Sequence, residues 1–139
     1  MPHVTVYSLE PQLAGRENEL IARLTGAVVS VYGEQIRQHV AVQLIGLPVG
    51  RWALGGVPLA EVAPLVTLAI RERALTRPDG EEHVAAALAA AVTDALVEVF
   101  GEIHRAGTLV DLLARADDHV AIGGRLVGER TAVEDRQGI

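Results

Sequence analysis

The residue most open to chemistry in this sequence is Pro2, which directly follows Met1 in "MPHVTVYSLE". If Met1 is removed, Pro2 carries a secondary amine at the chain terminus. If Met1 stays, the same nitrogen is an amide with no useful basicity. An unblocked terminal amine titrates at about 8 in a flexible chain, and an apolar pocket or cationic neighbours favour its neutral form. In that form it can take a proton from beside a carbonyl and return it to carbon, or attack the carbonyl and form an iminium. The plain alternative is a proline that merely precedes an edge strand.

The remaining reactive residue types give less. His3, His39, His83, His104 and His119 are dispersed and form no short metal-binding motif. Gly55-Gly56 and Gly123-Gly124 lack the surroundings of a nucleotide loop, so turn geometry accounts for them. Neither Glu81-Glu82 nor Asp117-Asp118 makes a convincing catalytic carboxylate pair. The chain has no cysteine, which excludes disulfide and thiol chemistry.

Composition narrows the partners. The 139 residues fit one domain, or two small halves sharing a core, and half of them are hydrophobic. One Phe, one Trp and two Tyr offer no stacking platform for bases. A formal charge of -6 opposes a phosphate-binding surface, although a local basic cluster could still hold a small anion. The N-terminus lacks a basic region followed by a long apolar run. The apolar stretch Val84–Phe100 contains Asp94 and Glu98 and is too short to span a bilayer. The expectation is a soluble cytoplasmic protein with no nucleic-acid or membrane partner.

Two similar units must position these residues. "HVTVYSL" (His3–Leu9) alternates at period two, as a strand covered on one side does. Leu20, Leu24, Ala27, Val28 and Val31 recur at helical spacing and predict a helix over Arg16–Tyr32, closed by Gly33. Gly26 inside it suggests close packing against the sheet. A second strand is expected at His39–Leu47, then a turn or short hairpin over Pro48–Gly56. The order then returns: a strand at Pro64–Ile70, a helix capped by Asp79 and Glu82 with the stripe Val84, Leu88, Val92, Leu96 and Val99, and a strand at Thr108–Ala114. "RWALGG" and "HVAIGG" close the two units. A strand-helix-strand crossover makes both strands parallel. The fold class is therefore α/β: a duplicated β-α-β arrangement, with a four-stranded mixed sheet and two helices on one face. The units run over about 2–62 and 63–128 of a single domain, with a polar tail at 129–139. The uncovered sheet face calls for self-association.

"MPHVTVYSLE", the helix end "VYG" (Val31–Gly33), "HVAVQLIGLP" (His39–Pro48) and the two turns at Gly55-Gly56 and Gly123-Gly124 resemble the tautomerase superfamily. The resemblance covers nearly everything before the tail. Length and fusion of two units are most similar to the malonate semialdehyde decarboxylase and cis-3-chloroacrylic acid dehalogenase branches. It implies an amino-terminal proline as catalyst, no metal or organic cofactor, and a homotrimer of fused chains. In those branches arginines after the second unit's first strand hold the substrate carboxylate, and here Arg71 and Arg73 match. Residues two apart share a strand face, so both guanidiniums could meet one anion; a solvated charge run with Glu72 is the alternative. Arg77 lies farther along and is the weaker candidate.

Other positions divide. Trp52 falls near an aromatic position that lines the proline pocket in relatives, although anchoring a turn or subunit contact would explain it equally. Arg51 beside it is an interface anion site or a surface charge. Asp111 matches a tyrosine position of the dehalogenases; it would orient water or donate a proton, or else serve structure alone. Val28 and Ile122 replace a histidine and a water-activating glutamate of the dehalogenases, which argues against hydrolytic dehalogenation. Val40–Leu44 lacks the arginine of single-unit tautomerases. The expected function is cofactor-free tautomerisation of a small oxo, enol or unsaturated carboxylate by Pro2, with Arg71, Arg73 and Trp52 binding substrate. Alternatives are decarboxylation of a 3-oxo acid and a noncatalytic oligomeric protein that binds small anions.

Overall fold

The computed structural model describes residues 2–75 and 84–128. Arg77, the expected capping pair Asp79 and Glu82, His83 and the polar tail lie outside the described residues. The elements are β1 (His3–Leu9), a single turn α1 (Glu10–Leu13), α2 (Glu17–Tyr32), β2 (Ala41–Leu47), β3 (Ala53–Leu54), β4 (Val57–Pro58), β5 (Leu65–Arg71), α3 (Val84–Phe100), β6 (Leu109–Arg115), β7 (Ala121–Ile122) and β8 (Arg125–Leu126).

The period-two pattern of the strands decides which side of the sheet is covered. Val4 and Val6 of β1 and Val66, Leu68 and Ile70 of β5 are buried on one face. Leu20, Leu24 and Val28 of α2 and Leu88, Val92 and Leu96 of α3 meet them there. Each such side chain contributes about 1.5–3 kcal/mol when removed from water, so one face of the sheet holds the core. The strand order is β2-β1-β5-β6. β1 is parallel to β2 and β5 is parallel to β6, while β1 and β5 run antiparallel. The mixed four-stranded sheet with two helices on one side is the architecture the alternating pattern predicts.

That topology sets the two hairpins apart. β2 ends beside Leu9, so the β3–β4 hairpin leaves the sheet at the end remote from Pro2. β6 ends beside Arg71, so the β7–β8 hairpin leaves at the Pro2 end. The hairpins are built alike: the Leu59 amide donates to the Trp52 carbonyl at 2.9 Å, and the Val127 amide to the Val120 carbonyl at 2.8 Å. Likewise the Ala41 amide donates to Pro2 and the Leu109 amide to Pro64, at 3.0 and 3.3 Å.

Local corrections follow from geometry. The second strand begins at Ala41, not His39, because Glu34–His39 forms a 3-10 turn in which Arg37 pairs with Glu34. Glu102–Gly107 repeats that turn with Arg105 on Glu102. Both follow a helix-ending glycine at positive φ, Gly33 at 100° and Gly101 at 105°, where a side chain would be strained. "GEQIR" and "GEIHR" thus mark the repeat as clearly as the hairpins do. Gly26 does not pack on the sheet; a Cβ built there meets nothing within 4 Å.

The strand ends at Arg71, one residue past the expected Ile70 but short of Arg73. After Arg71 the chain turns into a 3-10 helix over Glu72–Leu75. The Tyr32 hydroxyl donates to the Ala74 carbonyl at 2.7 Å and ties that turn to α2. Arg71 and Arg73 therefore do not share a strand face.

Candidate active site

Because β1 begins at His3 and pairs Ala69 opposite it, continuing the register by one residue sets Ile70 against Pro2 and Arg71 just past it. Pro2 is buried. It lies on a cavity of about 1020 Å³ at the upper end of the sheet's open face, a volume at the top of the ordinary range for small-ligand sites. Thr5, Tyr7, Gln43, Thr67 and Ala69 form its floor, and Val120–Ile122 of the last hairpin contribute to its wall.

Charge singles this cavity out. The chain carries a net -6, yet among the described residues the lining includes Arg71 and Arg115 and no aspartate or glutamate. Arg71 and Arg115 are direct neighbours on the parallel strands β5 and β6.

Arg71 is already engaged. Its Nε and Nη2 donate to Asp117 Oδ1 and Oδ2, both at 3.0 Å, a bidentate fork of the kind that suits arginine and carboxylate. Nη2 of Arg73 stands 3.3 Å from the same Asp117 Oδ2. The hydrogen bonds from Arg71 hold the Asp117 carboxyl below the usual carboxylate range; the charges of Arg71 and Arg73 add to this, while burial opposes it. The two arginines do converge on one carboxylate, and in this structure that carboxylate belongs to the chain.

The other expected site residues are distributed unevenly. Arg73 is more than half exposed and contributes nothing to the lining. Asp111 sits in an open-face row with Gln43, Thr5 and Thr67, and strand spacing and rise put it roughly 14 Å from Pro2. It is exposed and outside the cavity, so one protomer does not bring it to the proline. Trp52 stands beside the hairpin at the opposite end of the sheet, more than ~20 Å along the strands from Pro2. Arg51 precedes it there and is exposed. Ile122 lines the cavity, whereas Val28 is wholly buried in the core. Among the described residues no group of histidine, aspartate and glutamate could hold a metal ion.

Arg115, which lines the cavity, and Asp117, which binds the lining Arg71, escaped the sequence reading. Asp117 sits in a pair that sequence alone gives no partner, because Arg71 is 46 residues away. Arg115 ends β6 after an apolar run and reads as an exposed strand terminus. The signal that could have found both was the repeat: the strand and hairpin that close the second unit return to the Pro2 end.

Comparison with known proteins bears on the fold and the superfamily. No family model matches the chain, and no curated protein does. Solved structures match over almost the whole length. Native fused 4-OT has a TM-score of 0.76 and 26% identity, with 91% of this chain and 97% of the other covered. Pt0534, crystallised after inactivation by 2-oxo-3-pentynoate, has a TM-score of 0.77 and 26% identity over 92% and 98%. The asymmetric trimer of F6 fused 4-OT reaches the same TM-score at 23% identity, over 92% and 98%. The chain has the fold of the fused tautomerase-superfamily structures, and the likeness supports membership of that superfamily. Both β-α-β units lie in one chain, as in the fused 4-OT structures, and the likeness at 26% identity supports an enzymatic role.

Proposed function

We propose that this chain is a cofactor-free tautomerase that uses Pro2, freed of Met1, on a small carboxylate bearing an adjacent enol or oxo group. The observation that carries the reading is the buried Pro2 on a cavity whose lining is cationic in an otherwise acidic chain. Cations nearby and limited water disfavour an ammonium at Pro2, leaving the amine ready as a base. It accepts the proton of an enol hydroxyl while the electron pair moves to form the carbonyl. The prolinium then delivers that proton to the adjacent carbon, so the reaction is an isomerisation with no net proton. An arginine holding the substrate carboxylate fixes the reacting atoms beside the amine.

The relatives' properties support the same reading. Pt0534 is inactivated by 2-oxo-3-pentynoate, an electrophilic 2-oxo acid of the class the cavity suits, and F6 fused 4-OT is a trimer. Here the open sheet face leaves Ile45, Leu109 and Leu113 partly exposed at 38%, 53% and 37%, and a trimer would cover them. Pro64 is internal, so one reactive amine per chain is expected.

Native mass spectrometry of protein treated with 2-oxo-3-pentynoate tests both statements. The expected product is a trimer with one adduct per chain, mapped to Pro2 at a processed terminus. Adducts elsewhere, none at all, or a monomer would count against the reading.

A further inference from the structure

We infer that Arg115, and not Arg71 or Arg73, receives the substrate carboxylate in this chain. The inference rests on the tautomerase reading above and assigns the anion site within it. Arg71 gives two donors to Asp117, each at 3.0 Å, and Arg73 adds a third contact to the same carboxylate. For a substrate carboxylate to take that fork, Asp117 must leave it. The exchange trades one charge-assisted pair for another and strands a partly buried carboxylate, so it yields little net affinity.

Arg115 is placed differently. It is the cross-strand neighbour of Arg71, lines the same cavity as Pro2, and is exposed. Among the described residues no carboxylate pairs with it. A ligand carboxylate reaching Arg115 replaces water rather than a protein partner. The neighbouring Arg71–Asp117–Arg73 cluster then has a positioning role: it fastens the start of the last hairpin, whose Val120–Ile122 segment contributes to the cavity wall. Ala69 and Leu113 line the same cavity, on the row next to Pro2 on the open face.

The test compares wild type, R115Q, R115K and P2A in phenylenolpyruvate ketonisation and in calorimetric binding of phenylpyruvate. Loss of a charge-assisted contact predicts a rise in both KM and Kd of roughly 10- to 100-fold in R115Q, with kcat reduced far less. R115K should recover part of both, since it keeps the charge and loses the fork. Far-UV circular dichroism and the urea midpoint should be unchanged, because the side chain is exposed. KM and Kd within twofold of wild type in R115Q, while P2A still abolishes turnover, would overturn the Arg115 assignment and leave the proline reading standing. Wild type that neither binds phenylpyruvate nor turns over phenylenolpyruvate would overturn both.

Discussion

Asp117 shows how a single side chain can set the character of the site. Its carboxylate neutralises part of the Arg71–Arg73 pair and holds the last hairpin against the sheet end. Because the Arg71 hydrogen bonds depress its pKa in the folded state, the carboxylate stabilises the fold above the unfolded value of about 3.9. That contribution fades as pH falls through the lower folded value. In urea titrations, D117N should therefore be less stable than wild type at pH 6, and the gap should close as the pH drops below about 4. A gap of constant size from pH 6 to pH 3 would show that the ion pair is not its source. The residue scale is also where sequence reading reached least far. Pro2 drew notice as a terminal imino acid and Arg71 through the family resemblance, and both line the cavity. Asp117 and Arg115 gain meaning only through partners brought together by the β5–β6 pairing.

Among the elements, period two in "HVTVYSL" and helical spacing in α2 gave the strands and helices directly, since both patterns follow from which face is buried. The failures came where a non-local contact bends the chain. The expectation that Arg71 and Arg73 share a strand face fails because a tight turn, accompanied by the Tyr32–Ala74 hydrogen bond, follows Arg71. Gly26 misled for the opposite reason: a helical glycine suggests close approach, and its Cβ direction is open. Arg23, Ala27, Ala91 and Ala95 surround it at the α2–α3 seam. G26A should therefore raise stability by roughly 0.5–1 kcal/mol, since alanine relieves the backbone entropy cost of glycine in a helix. A destabilised G26A, measured by urea unfolding, would mean that the seam is tighter than the structure shows.

For the whole molecule, duplication has opposite consequences at the two ends of the sheet. The antiparallel meeting of β1 and β5 sends one hairpin to each end, so the units are alike in framework while only one end carries Pro2. The internal Pro64, wholly buried and bonded through its carbonyl to Leu109, has no amine to offer. Trp52 belongs to that second end, and any meeting with a proline site would require another chain. The open sheet face, with partly exposed Ile45, Leu109 and Leu113, is the surface where chains would join. All of this serves one claim, that a freed Pro2 amine does the chemistry. The most direct measurement is the rate of phenylenolpyruvate ketonisation by protein whose terminus has been sequenced, set against P2A at equal concentration. Loss of general base catalysis predicts a fall in kcat/KM of at least ~100-fold in P2A, with wild type beginning at Pro2. Equal rates in the two proteins, or full activity with Met1 still attached, would contradict it.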